Sequence, residues 1–247
     1  RKSRPTASVK VINVNARSLL NKADAVEAAI LEHEPDIMVV TETWLHTDVA
    51  DFEVTPTGYT IVRKDRQGRG GGVAFLIKDN IRFSVLDDNC DIEMLWIRCG
   101  FSERTVYIGG IYRAPNSSLD IIAKLRNFMD SNFSLQDNVL LLGDFNLPDI
   151  NWLSQSPGSE QVASAEQLLE LAFCYGLTQS VTEFTRIGTT RSSILDLVFV
   201  SPKLLPLLSR CEVVEGLSDH KMVVTHLALS PDTLGKPTLS TVLNFMA

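Results

Sequence analysis

Four short patches set carboxylates, an amide and an imidazole where apolar runs end: Thr41-Glu42-Thr43, Gly143-Asp144-Phe145-Asn146, Leu195-Asp196-Leu197 and Ser218-Asp219-His220. An ionised acid left unpaired in a core is costly. Glu42, Asp144, Asp196 and Asp219 are also the hard oxygen ligands that magnesium takes, one or two at a time, beside a substrate phosphate. Singly, each acid reads as an N-cap, a turn residue or a surface ion pair. As a set they point to metal-assisted cleavage of a phosphoester.

Asn13, Asn15 and Asn146 add amides that can donate to phosphate oxygens or orient a carboxylate, and Tyr112 adds a phenol at a strand end. In a phosphodiester site such donors hold the negative charge that builds as water attacks, and losing one lowers turnover by roughly 100- to 1000-fold. Of the four histidines, His220 is the informative one. Asp219 precedes it, and a neighbouring carboxylate favours the protonated ring and fixes its tautomer. Taken alone, His220 is open between a structural and a catalytic role. His33, on a polar helix face, His46, in a loop, and His226, within a strand, read as structural.

The elements that must position these groups follow from periodicity. Val9 to Val14 reads as a strand, and Asn21 with Asp24 reads as a capping box opening a helix with Leu20, Ala23, Val26 and Ile30 on one face. Ile37 to Val40 is a short buried strand. Tyr59 to Arg63 and Val73 to Lys78 bracket a charged loop ending in Gly70-Gly71-Gly72, which suggests paired strands. Those glycines lack the Lys-Ser/Thr ending of a P-loop and enter a strand, so a phosphate cradle is the second choice. Met94 to Cys99 and Val106 to Tyr112 are further strands. Ser117 caps a helix carrying Leu119, Ile122, Leu125 and Phe128 or Met129 inward. Val139 to Leu142, then a helix through Val162, Ala165, Leu168, Leu169 and Ala172 ending at Gly176, then strands at Ile194 to Val200, Cys211 to Val214 and Met222 to Leu229 complete the chain. Strands and helices come twice in similar order, which suits two packed sheets with helices outside.

With 247 residues and 45% apolar content, the chain can bury a large core in one α/β domain. The domain is placed at residues 9–229, with an N-terminal extension at 1–8 and a tail or start of a linker at 230–247. Cys90, Cys99, Cys174 and Cys211 show no C-x-x-C spacing and read as reduced, buried thiols. No apolar stretch reaches the roughly 18 residues of a membrane span, and the polar start is no secretory signal, so a soluble intracellular protein with no membrane partner is expected. The net charge of −7 argues mildly against nucleic acid. Against that stands Arg63-Lys64-Asp65-Arg66-Gln67-Gly68-Arg69, which reads either as a basic flap on an acidic body or as a solvated loop.

Asn13-Val14-Asn15, Asp36 to Thr43, Tyr112 with Pro115-Asn116, Gly143 to Asn146, Ile194 to Asp196 and Ser218 to His220 resemble, in this order, the motifs of the endonuclease/exonuclease/phosphatase superfamily. Within it, Asn15-Ala16-Arg17-Ser18-Leu19, the Gly70 to Ala74 strand entry, Gly143 to Pro148 with Trp152, and Leu195 to Phe199 resemble the apurinic-type endonuclease domain of non-LTR (LINE-type) retrotransposons.

The resemblance implies a four-layer α/β sandwich, two packed and mostly antiparallel sheets flanked by helices, and a Mg²⁺-dependent phosphodiesterase that Mn²⁺ could also serve. It makes Glu42 the principal metal ligand, helped by Asn13 and Asp219. Asp144 then activates water or protonates the leaving oxygen, Asn146 and Tyr112 hold the phosphate, and His220 with Asp196 stabilises the pentavalent state or acts as base. Asn15, where apurinic enzymes commonly carry Asp, joins Arg17, Arg66, Arg69 and Asn116 as substrate contacts. The implied partner is double-stranded target DNA in the nucleus, nicked to leave a 3′-hydroxyl that primes a reverse transcriptase, itself a further part of the full-length protein. Three other readings compete: a phosphatase or lipid phosphodiesterase of the same fold, a repair enzyme for abasic sites, and a non-catalytic DNA-binding module.

Overall fold

The computed structural model describes residues 8–87, 90–115, 117–188 and 191–231. The expected N-terminal extension and tail lie outside them apart from Ser8, Ser230 and Pro231. The strands run β1 Val9–Asn15, β2 Ile37–Thr41, β3 Tyr59–Lys64, β4 Val73–Lys78, β5 Phe83–Leu86, β6 Met94–Phe101 and β7 Arg104–Tyr112. They continue as β8 Asn138–Asp144, β9 Thr178–Gln179, β10 Arg186–Ile187, β11 Ser192–Ser193, β12 Asp196–Val200, β13 Leu208–Val214 and β14 Met222–Leu227. The helices are α1 Ala23–His33, α2 Asp120–Asn132 and α3 Val162–Cys174.

Two six-stranded sheets form, one in the order β13-β14-β1-β2-β4-β3 and the other β5-β6-β7-β8-β12-β9, with β10-β11 as a separate hairpin. Each sheet holds one parallel pair. β1 and β2 lie parallel with Asn15 level with Thr41, and β7 and β8 lie parallel with Tyr112 level with Asp144. A parallel pair needs a long crossover, and α1 and α2 supply the two. The inner core between the sheets joins Val11, Val39 and Phe75 to Ile108, Leu142 and Val198. Outside it, α2 and α3 pack Leu125, Phe128, Leu168 and Leu171 on the second sheet, and α1 packs Val26 and Ala29 on the first. The expected four-layer sandwich is borne out.

Strand alternation then determines the site. In β1, Val9 and Val11 join the inner core while Ile12 and Val14 face α1, so the next inward positions are Asn13 and Asn15. In β8, Leu140 and Leu142 lead inward to Asp144, and in β12, Val200 and Val198 lead to Asp196. The inner rows of both sheets thus turn polar at the same rim.

Local chemistry departs from the sequence reading at the helix starts. A 3₁₀ turn, Leu20–Lys22, precedes α1, no side chain caps the helix, and Leu20 is exposed. Ser117 Oγ donates to the Ala114 carbonyl, so α2 begins at Asp120 with Leu119 exposed. Before α2 a local turn takes the hydroxyl that a cap would use. Of the cysteines, Cys99 is buried and Cys174 is exposed. Ser230 bonds to Ser102 at the β6–β7 turn, with N to Oγ at 2.8 Å, so the ordered packing runs past Leu229.

Gly110 marks how closely the sheets approach: a Cβ there would lie 2.7 Å from Val39 Cγ1 and 3.0 Å from the Phe75 ring. Gly110→Ala is expected to cost about 1–3 kcal/mol through overpacking, read as a lower urea midpoint. An unchanged midpoint would contradict this packing.

Candidate active site

The β8–β12 register sets Asp144 directly opposite Asp196, both fully buried. His220 lies over the pair. Its Nδ1 donates to Asp196 Oδ2 at 2.8 Å and stands 4.0 Å from Asp144 Oδ2. Asn15 joins this cluster to the other sheet: its Nδ2 donates to Asp144 Oδ2 at 2.9 Å and to Glu42 Oε1 at 3.0 Å. Tyr112 OH reaches the same Glu42 oxygen at 3.0 Å, and Trp44 Nε1 reaches Oε2 at 3.3 Å. Glu42, Trp44 and Asn146 all have positive φ, near 50°. Strain of this kind persists where surrounding structure over-determines it, and it clusters at functional sites.

Each loop is strapped in place. Gly143, with φ of 147°, admits no Cβ, because one would fall 1.9 Å from the Ile111 carbonyl oxygen of the neighbouring strand. Asn146 N donates to Asp144 Oδ1 at 3.0 Å and Asn146 Nδ2 to the Arg113 carbonyl at 2.9 Å. Ser218 Oγ donates to the Asn15 carbonyl at 2.8 Å and accepts from His220 N at 3.1 Å. Thr185 Oγ1 accepts from the backbone of both Leu195 and Asp196 at 3.0 Å.

The electrostatics follow from burial. Loss of solvent and the adjacent Asp196 carboxylate push the Asp144 pKa well up, against the pull of His220 and the Asn15 bond. Burial pulls His220 down, yet the hydrogen bond and charge of Asp196, with Asp144 and Asp219 beyond, raise it on balance. Burial, then the charges of Glu42 and Asp144, push the Tyr112 phenol up, so it remains a donor.

A divalent cation fits this donor set. Among the described residues, Oδ1 of buried Asn13 and Oδ1 of Asp196 have no hydrogen-bond partner, and buried oxygens left so call for an ion or water. One ligand atom from each of Asp144, Asp196 and His220 lies within 4.8 Å of the others. Glu42 adds a third carboxylate through Asn15.

The sequence profile of the Endonuclease/Exonuclease/phosphatase family matches residues 11–220. The chain belongs to that family. No curated protein matches the sequence. Among solved structures, the endonuclease domain of TRAS1, a telomere-specific non-LTR retrotransposon, superimposes with a TM-score of 0.70 at 15% identity, covering 89% of this chain and 98% of that one. The AP endonuclease LMAP from Leishmania major gives 0.72 at 15% identity, over 91% and 89% of the two chains. A Neisseria 3′ phosphatase, NExo, bound to a product DNA hairpin, gives 0.67 at 19% identity, over 89% and 99%. At these identities the likeness establishes the shared fold.

Within this member of the Endonuclease/Exonuclease/phosphatase family, the rim gathers Asn13, Asn15, Glu42, Tyr112, Asp144, Asn146, Asp196 and His220. Other expected site residues have different surroundings. Asp219 sits between two guanidiniums, Arg17 at 3.0 Å and Arg186 at 3.2 Å. Asn15 has its amide committed to two carboxylates and not turned outward. Arg66 forms a paired contact with Glu93 and stacks over the Tyr112 ring at 5.5 Å. Arg63 is held by Asp51 at 3.0 Å and the Val49 carbonyl at 2.7 Å. The loop read as a basic flap is therefore stapled to the body through Arg63 and Arg66, with Arg69 exposed. Asn116 lies outside the described residues.

Arg113 escaped the sequence reading, although it follows Tyr112 directly. Buried and, among the described residues, with no carboxylate in contact, it donates to Gln161 Oε1 at 2.8 Å and Ser164 Oγ at 3.2 Å, and to the Phe145 and Asn146 carbonyls at 3.4 and 3.3 Å. Burial lowers its pKa, and Asp144 opposes that fall. Trp44, two residues past Glu42, was also missed; an aromatic beside a predicted ligand is the signal that marks it.

A pH dependence follows for the protein in EDTA. Asp144 is pushed from 3.8 up to about 8, and His220 is raised above 6.5. Both raised groups bind protons more tightly when folded, so their contribution is full at low pH and is lost as pH rises through the folded values. The thermal midpoint should fall between pH 5 and 9, and Asp144→Asn should flatten that fall. A parent midpoint higher at pH 9 than at pH 6 would contradict the assignment.

Proposed function

We propose that this chain is a Mg²⁺-dependent endonuclease that nicks double-stranded DNA and leaves a 3′-hydroxyl to prime reverse transcription of a non-LTR retrotransposon. The observation that carries the reading is the buried Asp144–Asp196–His220 cluster, bridged by Asn15 to Glu42 and Tyr112 across two sheet ends. Family membership supports phosphoester cleavage. The non-LTR motifs and the fold shared with the TRAS1 endonuclease domain support DNA as substrate, nuclear action and a reverse transcriptase elsewhere in the full-length protein.

In this reading Glu42 and Asn13 hold the ion, with Asp219 as a further ligand, and Mn²⁺ can replace Mg²⁺. The bound ion supplies positive charge beside the scissile phosphate. Tyr112 and Asn146 donate to the phosphate oxygens. Asp144, with its raised pKa, takes a proton from the attacking water. As the water oxygen bonds to phosphorus, the bond to the 3′-oxygen breaks, and that oxygen takes a proton from solvent to become the 3′-hydroxyl. Asp196 keeps Nδ1 of His220 as a donor and the ring cationic, leaving Nε2–H to stabilise charge on the phosphoryl oxygens.

Supercoiled plasmid should be nicked with Mg²⁺ and left intact in EDTA. Asp144→Ala and His220→Ala, each confirmed folded, should lose roughly 100- to 1000-fold in rate. A folded parent that leaves plasmid intact yet cleaves an abasic oligonucleotide or a 3′-phosphate would contradict nicking and reassign the substrate.

A further inference from the structure

Asp219 is held by two arginines from separate parts of the chain. Arg17 follows β1, with Nη1 at 3.0 Å from Oδ1, and Arg186 opens the β10–β11 hairpin, with Nε at 3.2 Å from Oδ2. All three side chains are a third to two-fifths exposed, so the triad sits at the open rim and not in the buried cluster. Among the described residues, neither guanidinium has another side-chain partner. Each guanidinium carries five N–H donors, so most of them remain available.

The triad is tied to the catalytic residues through backbone. Arg17 N donates to Asn15 Oδ1 at 3.2 Å, and Arg186 forms an antiparallel bridge with His220. Lys221 N donates to the Thr185 carbonyl at 2.6 Å. Arg17 and Ser18 hold consecutive positive φ angles of 45° and 87°, so the loop carrying Arg17 is fixed in a costly conformation.

Two guanidiniums around one carboxylate leave a net positive charge beside an acidic centre. Exposed ion pairs of this kind are worth about 0.2–1 kcal/mol each. A phosphodiester oxygen offers arginine the same charge and bidentate geometry. Resting on the DNA reading above, we infer that Arg17 and Arg186 are a phosphate-binding pair for the DNA backbone beside the scissile bond, and that Asp219 neutralises them and holds one nitrogen of each until DNA displaces it. The exchange frees the Asp219 carboxylate as the strand docks.

The test is binding of a labelled duplex by fluorescence anisotropy in EDTA, across a salt series, with circular dichroism confirming each fold. Arg17→Gln and Arg186→Gln should each weaken binding and reduce the slope of log affinity against log salt by about 1. Asp219→Asn, close in shape and unable to neutralise the arginines, should bind duplex roughly 2- to 5-fold more tightly. A strut that merely holds the loops predicts the reverse, weaker binding by Asp219→Asn, and that result would overturn the inference. So would unchanged salt slopes in both arginine variants, with parent binding intact. A parent that binds no duplex at any salt would overturn the DNA reading together with this one.

Discussion

Two carboxylates side by side in a dry interior form the constraint around which the rim is built. The β8–β12 register makes Asp144 and Asp196 direct neighbours at the end of rows that are otherwise Leu and Val. Burial beside Asp196 makes ionising Asp144 costly without compensation. Each surrounding feature reads as part of the answer: His220 against Asp196, the Asn15 amide and the Asn146 backbone against Asp144, and the unpartnered Oδ1 atoms of Asn13 and Asp196 that suit a cation. The positive φ at Asn146 and Glu42 is the conformational cost of aiming loops at that pair.

Asn15 has an outsized role in this arrangement. Its side chain touches Glu42, Asp144 and the Arg17 backbone, and its carbonyl accepts from Ser218. One amide therefore joins the ends of both sheets to the loop before His220. An aspartate there would place a third negative charge between Glu42 and Asp144. An asparagine donates to both, which suits a cluster already rich in acid.

Much of this was legible in the sequence, because apolar alternation that ends in a polar residue marks a strand meeting a rim. Val9-x-Val11-x-Asn13-x-Asn15 and Leu140-x-Leu142-x-Asp144 carry that signal in full. The cross-sheet partnerships did not show, since register depends on which strands pair and sequence spacing is silent on it. The same limit explains the charged loop. Arg63 and Arg66 look solvent-facing in one dimension, and only the fold brings Asp51 and Glu93 beside them. Strands as short as β9, β10 and β11 carry no periodicity to read, so Arg186 could not be placed near Asp219. Helix starts failed for local reasons: a 3₁₀ turn runs through Asn21 ahead of α1, and a turn takes the Ser117 hydroxyl ahead of α2.

The account rests on Glu42 and Asn13 holding a divalent cation at the rim beside the buried acids. Crystals grown with Mn²⁺ and examined by anomalous scattering test this most directly. The account predicts an anomalous peak at the rim, within coordination distance of a Glu42 carboxylate oxygen and next to Asn13, that is lost in Glu42→Gln. A folded protein whose Mn²⁺ lies elsewhere on the surface, with the rim holding only water, would contradict it.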